Sequence, residues 1–332
     1  MSDSQPEMSE KLNKTTPTLY DMPAAVLDNV LSNLNYKTHL ALRTVCKSLR
    51  DLVDKRPPAS KSISLHIHAA AGGYKTFKAS LSFDDRCVLK DGSVEQAMQG
   101  LKGAVNHIRT RLNEFKIRVH TNSYSEWEKK LEMEARKPCF AQIKDVLSTM
   151  PRGTLDVEKL VMVLKSQDEI LSILPYMTPG VLEFFHVVYL RILPEGLCTH
   201  RLATRQLIKL EQWKRAKTMN LVRFVVQFPI QHIAHFRESN IQMTSISMKQ
   251  VQVLRDAVLR KPDFVSSTLF STKTIDTASI DEHLGLPGPQ SPEPPELYRR
   301  YPVPDSDDHV LEISILPESV YMVRNLKTDL LY

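Results

Sequence analysis

Between residues 24 and 54 the apolar positions recur at helical spacing. Val26, Leu27, Val30, Leu31 and Leu34 follow one another at intervals of one, three or four residues, which places them on one stripe of a helix. Pro23 falls in the first turn, where its missing N–H costs nothing, and Asp21 can cap the free amides ahead of it. After Asn35, Tyr36 and Lys37, Thr38 is a second N-cap candidate. It opens a run in which Leu40, Val45, Cys46, Leu49, Leu52 and Val53 are apolar and Arg43, Lys47, Arg50 and Asp51 form the polar side. Pro57 and Pro58 end that run.

From Ser62 to about Ser271 the pattern changes to short β-rich runs alternating with helical ones. The strand candidates are Ile63–Ile67, Thr76–Phe83, Phe115–His120, Lys159–Leu164, Leu182–Leu190, Leu221–Phe228 and Phe264–Phe270. Helical patterns lie between them at Val94–Leu112, Phe140–Met150, Asp168–Leu174, Leu202–Ala216 and Met248–Leu259. Repeated strand-then-helix order predicts an α/β fold of mostly parallel strands with crossover helices. The strand intervals overlap those of leucine-rich repeats, so an open arc is expected rather than a closed barrel. Residues 285–304 hold seven prolines, which predicts an extended linker or loop within 276–308. His309–Leu316 then reads as a last strand, in a terminal piece 309–332, that could add to a sheet edge. Residues 1–17, polar and without aromatics, are expected to be disordered.

Charge refines this outline. The chain of 332 residues has 44 Lys plus Arg and 38 Asp plus Glu, yet residues 1–275 sum to +13 and 276–332 to −7. The tail is a separate electrostatic object, expected to fold back on the body through its strand and through attraction to cations near 199–217. No apolar run approaches the ~20 residues of a membrane span, and the N-terminus lacks the core of a signal peptide, so an intracellular location, cytoplasm or nucleus, is expected. The four cysteines are too widely spread for a disulfide framework or paired zinc ligands. Only 10 glycines occur, and Gly72-Gly73 opens no phosphate-binding loop, which argues against nucleotide chemistry.

His66 and His68 would share one side of a strand, and His232, His235 and Glu238 could share a helical face. Neither set matches an established ligand pattern, and no metal or cofactor is expected. No nucleophile elbow occurs, and Asp84-Asp85 reads as a solvated pair, so no catalytic residue is assigned. The window 199–217 carries six cations against Glu211 and includes Trp213. It could contact nucleic acid through phosphates and stacking, which is the alternative function. An amphipathic helix accounts for it better, because Leu207, Leu210, Trp213 and Ala216 form an apolar line at intervals of three, and nucleic acid is not expected as a partner.

A helical unit of about 40 residues without metal or disulfide must continue its apolar face into something else. Its residues Leu19, Met22, Pro23, Val26, Leu27, Val30 and Leu31, then Leu42, Arg43, Val45, Cys46, Lys47 and Leu49, resemble the F-box over about 18–58. Ile173–Leu182, Leu210–Leu221 and the stretch from His235-Phe236 to Phe264 resemble the FTH domain over about 140–272. Together they look like a nematode-type F-box protein of the F-box A family. The resemblance implies a three-helix F-box, and the leucine-rich-repeat-like open α/β arc expected to follow it takes in residues 62–139 on pattern alone. It further implies a non-catalytic substrate adaptor of an SCF (Skp–cullin–F-box) ubiquitin ligase. In that role Leu19, Met22, Pro23, Val26, Val30, Leu31, Leu40, Arg43 and Cys46 would bind a Skp-type adaptor and, through it, cullin. The FTH region would capture a protein substrate.

Overall fold

A computed structural model describes residues 22–32, 34, 36–54, 61–69, 77–84, 86–107, 111–120, 126–189, 201–286, 297–304 and 306–326. The stretch 1–17, Leu19 and five of the seven prolines of 285–304 fall outside them. The chain divides into two units, 1–59 and 60–332.

In the first unit, α1 (Ala24–Ser32), α2 (Tyr36–Val45) and α3 (Lys47–Asp54) follow one another. Pro23 stands just ahead of α1, and its carbonyl accepts from the amides of Val26 at 2.9 Å and Leu27 at 3.1 Å. The helix therefore starts where proline is tolerated. Leu27 and Leu31, one turn apart, are buried, as is Val53 of α3.

The second unit is organised by one sheet of 13 strands. In chain order they are β1 (Ser62–Ala69), β2 (Phe77–Phe83), β3 (Arg86–Ser93), β4 (Leu112–His120), β5 (Val157–Val163), β6 (Phe184–Val188), β7 (Arg201–Leu202), β8 (Thr218–Val226), β9 (Glu238–Met243), β10 (Ser266–Ser271), β11 (Tyr298–Pro302), β12 (His309–Leu316) and β13 (Ser319–Leu326). The helices are α4 (Val94–His107), α5 (Glu126–Leu147), α6 (Gln167–Leu171), α7 (Glu211–Arg215), α8 (Met248–Leu259) and α9 (Ile280–Leu284).

The centre of the sheet runs β1-β4-β5-β6-β8-β9-β10, all neighbours parallel. Both ends are antiparallel: β1-β2-β3 on one side and β10-β13-β12-β11 on the other. The sheet is thus mixed, which corrects the expectation of mostly parallel strands. The reason is local. Two residues join β2 to β3 and two join β12 to β13, and so short a link can only reverse the chain. Asp84, read from sequence as one of a solvated pair, lies in the first of these turns with φ of 49°. Its carboxylate accepts from the amides of Lys61 and Ser62 at 2.7 and 2.9 Å.

Each parallel strand is added on the same side of its predecessor. With right-handed connections, the linking segments then all fall on one face of the sheet. Burial agrees. A row that crosses the sheet through Phe83, Ile63, Phe115, Leu160, Phe185, Met219, Ser239, Ser267, Met322 and Ile313 is buried throughout. The two serines in it hydrogen-bond to each other at 2.7 Å, so the closed face holds no unmet hydroxyl there. α4 lies against this face, where Gly100 allows close approach: a Cβ there would stand 2.7 Å from the Leu81 side chain.

The tail departs from a linker. α9 and β11 lie inside the expected loop 276–308, and the terminal piece holds two strands, β12 and β13, in place of one. Arg299, 1% exposed, explains the ordering. Its guanidinium donates to the Gly285 carbonyl at 2.6 Å and to the Asp281 carboxylate. Tyr301 adds a hydrogen bond to the Leu284 carbonyl at 2.5 Å. The acidic groups Asp281 and Glu312 are held by Arg299 and Arg300 within the tail. Among the described residues no ion pair ties the tail to 199–217, contrary to the expected attraction.

Candidate functional site

On α1 the single apolar stripe of the sequence separates into two lines. Leu27 and Leu31 point inward at 7% and 1% exposure, while Met22, Val26 and Val30 stand outward at 42%, 45% and 40%. Consecutive helical residues differ by about 100°, so neighbours such as Val30 and Leu31 can serve opposite surfaces. Pro23 is exposed beside Met22. Cys46 lies between α2 and α3, exposed, and its sulfur accepts from the Leu49 amide at 3.5 Å. Arg43 is half-buried, and its carbonyl accepts from the Arg50 side chain at 3.1 Å. Leu40 belongs to α2, with its side chain outside the described set, as is all of Leu19. Of the anticipated adaptor-binding residues, Met22, Pro23, Val26, Val30 and Cys46 are exposed and Leu31 is not. Val45 was not among them, although at 66% it is the most exposed apolar side chain described in these helices. Its position at the last residue of α2 is what turns it outward, and only a correct helix boundary could have revealed that.

The second surface is the open face of the sheet, opposite the linking helices. One row reads Ser64, Lys116, Val161, His186, Asn220, Asn240, Thr268, Tyr321 and Ser314. Its flanking row on β1 to β8 reads His66, Arg118, Val163, Val188 and Val222. On β2, β1, β4, β5 and β6 the charged groups that register places on this face are Lys78, Lys116, Arg118 and Lys159 against the single carboxylate Glu114. Glu114 receives Lys116 at 2.8 Å and Lys159 at 3.3 Å. Burial works to raise its carboxyl, and the two ammonium groups outweigh it, so the pKa lies below the ordinary glutamate value. His186 is held below the usual histidine value by burial and then by Lys159. The remaining open-face strands carry mostly amides and hydroxyls, together with Phe270, Val323 and two carboxylates, Glu238 beside Arg237 at 3.8 Å and Glu312 paired to Arg300 at 2.9 Å.

Trp213 decides the reading of the basic window. The expected helix 202–216 is instead β7, a short 3-10 turn at Leu207–Lys209 and α7. Trp213 is 2% exposed, edge-on to Phe185, Phe228 and Phe236, and its indole donates to the His232 carbonyl at 3.2 Å. An indole so placed is not available to stack on a base. The His235 ring faces the Trp213 carbonyl at 2.9 Å, which ties it to the same core. Among the described residues no group of three or more His, Cys, Asp or Glu could hold a metal ion. His66 and His68 face each other at 5.2 Å between ring centroids on the open face.

A depression of about 440 Å³ between α5 and α6 is lined by Phe140, Ala141 and Leu171, with Lys137, Lys144 and Asp168 at its rim. Beneath it Arg136 and Glu169 form a buried two-pronged pair at 2.8 and 2.9 Å. Glu169 also accepts from the Lys165 amide at 2.6 Å, and Arg136 donates to the Val119 carbonyl. With every prong occupied by the protein itself, the pair fastens α5 and α6 to β4 and offers no reactive group. Burial pushes the nearby Cys139 thiol up to about 11, away from nucleophilic use. No described helix is long and apolar enough to cross a membrane.

Two family models match the chain: the F-box domain over residues 19–61 and the FTH domain over residues 137–286. No curated protein and no solved structure matches it.

Proposed function

The chain is an F-box protein that carries an FTH domain, and on that premise we propose that it is a substrate adaptor of an SCF ubiquitin ligase. F-box proteins are in general non-catalytic adaptors, and at the level of the family the F-box implies binding to a Skp-type subunit. The observation that supports docking here is the outward apolar line Met22, Val26 and Val30, with Pro23, Val45 and Cys46 also exposed on these helices. A surface of this kind gains about 25 cal/mol for each Å² of apolar area that a partner removes from water. Leu19, Leu31, Leu40 and Arg43 complete the proposed docking set. Leu31 would act from inside, by holding α1 in the orientation that turns Val30 outward.

The α/β unit would hold the substrate, in a leucine-rich-repeat-like arc that follows a three-helix F-box in the sequence. The one-directional order of the parallel strands supports such an arc, because it leaves a broad sheet face free of linking helices. Ubiquitin transfer would then follow from proximity to the chemistry of other subunits.

The test is capture of a recombinant Skp-type adaptor by the full chain. Val26→Asp with Val30→Asp places two charges on the outward line and leaves the buried one intact. We expect affinity to fall by roughly a hundredfold, the size of a central hot-spot loss. Equal capture by wild type and variant would refute docking through α1.

A further inference from the structure

We propose that the open sheet face over β2, β1, β4, β5 and β6 docks an acidic segment of a partner protein, one that carries an apolar residue beside its carboxylates. The inference rests on the adaptor reading and names the chemistry of what the α/β unit captures.

Charge is the first argument. Lys78, Lys116, Arg118 and Lys159 stand on this face against Glu114, with Asp91 of the adjoining edge strand β3 facing His68 at 3.4 Å, so cations remain in excess, and Lys78 and Arg118 are exposed. Their positions follow from the register. Lys78 pairs with His68 on β1, two residues beyond His66, which pairs with Arg118 on β4. At about 4.8 Å between strands and 3.4 Å along them, these two cations are roughly 12 Å apart at Cα. Carboxylates four residues apart on an extended segment span about 13 Å, so one segment can meet both.

Shape and polarity give the second argument. Beside Arg118 the same row continues as Val163, itself buried, and then Val188 and Val222, both half-buried. A partner with carboxylates alone would leave the water-facing parts of Val188 and Val222 wet, whereas an apolar side chain next to them would cover those parts. The surface suits nucleic acid less. Among the described residues the one phenyl ring of this patch, that of Phe184, already lies beneath the Lys159 ammonium at 5.2 Å and stacks on His186 at 5.9 Å. The acidic groups Asp281 and Glu312 of the chain's own tail are held by Arg299 and Arg300 at the other end of the sheet, so they do not compete for this face.

The experiment uses the full chain and a fluorescein-labelled synthetic peptide, three repeats of Glu-Glu-Leu, read by fluorescence anisotropy. Wild type should bind it with an affinity that falls as salt rises, and Lys78→Glu with Arg118→Glu should weaken it by roughly tenfold or more. Lys78→Gln with Arg118→Gln should give a smaller loss and decides the matter if the reversed variant does not fold. Peptides with Gln for Glu, or Ser for Leu, should each bind more weakly than the parent. The proposal is overturned by equal binding of wild type and charge variants, by equal binding of the Gln or Ser peptide, or by tighter binding of a poly-uridylate oligonucleotide to the same face. Adaptor capture on the same samples keeps the two readings apart. Val26→Asp with Val30→Asp should lose the adaptor and keep the peptide. Peptide binding without adaptor capture by wild type sinks the ligase reading alone, and adaptor capture without peptide binding sinks this one alone.

Discussion

Two surfaces made from the same few apolar residue types meet different fates in this chain. On the closed face of the sheet, Ile63, Leu65, Phe115, Ile117, Leu160 and Met162 are fully buried, because alternate strand residues point one way and the linking helices cover that side. On α1, Val26 and Val30 stand at 45% and 40% exposure one turn apart, beside the buried Leu27 and Leu31. A sheet face can be closed by its own crossovers. A helix of nine residues presents two sides, and the short F-box unit supplies an inner cover for only one of them. The lesson is that apolar spacing announces burial without saying by whom, and the exposed line is where a second protein has to supply the cover.

The comparison breaks most visibly at its best-covered point. Trp213→Ala removes the indole that Phe185, Phe228 and Phe236 surround, and large aromatic truncations in cores cost about 3–5 kcal/mol. Urea unfolding of the full chain should show that loss in the transition of the α/β unit, and a loss below about 1 kcal/mol would mean that the indole is not packed as a core side chain. The contrast sharpens on a single helix. Leu31→Ala should destabilise the F-box unit by about 2–5 kcal/mol, while Val30→Ala, its neighbour, should stay within about 0.5 kcal/mol. Adaptor affinity should move the opposite way, with Val30→Ala weakening it in protein that remains folded. Equal stability losses at the two positions would erase the distinction between inner and outer lines.

Much of this arrangement was legible in the sequence. Strands with strong β-branched or aromatic content, such as Val157–Val163 and His309–Leu316, and the helix Met248–Leu259 were readable because apolar period and length agree there. α8 even carries its own punctuation, a capping box between Ser247 and Gln250. What escaped had weaker signals. β9, with the sequence ESNIQM, buries a serine where a strand pattern expects an aliphatic group, and that serine is tolerated only because Ser267 answers it across the sheet. β3 is an edge strand of exposed polar residues, and β11 is flanked by prolines and held by Arg299, a buried cation whose partners lie far from it in sequence. α5 runs from Glu126 straight through Pro138, against local propensity. On α1 the site residues were legible as one stripe. Their division into inward and outward members depends on which neighbours are present, and spacing does not carry that information.

The smallest expected effect concerns protons and separates the two faces of the sheet from each other. His235 on the core side and His186 on the open face are both held below the ordinary histidine value, in each case first by burial. Lys261 and Lys159 respectively add to that depression, and at His235 the hydrogen bond with the Trp213 carbonyl opposes it. A folded imidazole with a lowered pKa binds protons less readily than the same group in the unfolded chain. Stability from these sites is therefore complete above the unfolded value of about 6.5 and is lost as pH falls below it, until the folded groups titrate as well. The carboxylates Glu114 and Glu183, both held below the ordinary glutamate value, add their own loss at lower pH, as it falls below about 4.5. Urea midpoints measured between pH 8 and pH 5 should decline for wild type. His235→Gln should flatten that decline more than His186→Gln, because a ring packed beside Trp213 has less access to water than one on an open face. Identical slopes in wild type and both variants would show that neither imidazole is held neutral by the fold. If a partner covers the open face, its binding should deepen the His186 contribution and leave that of His235 unchanged.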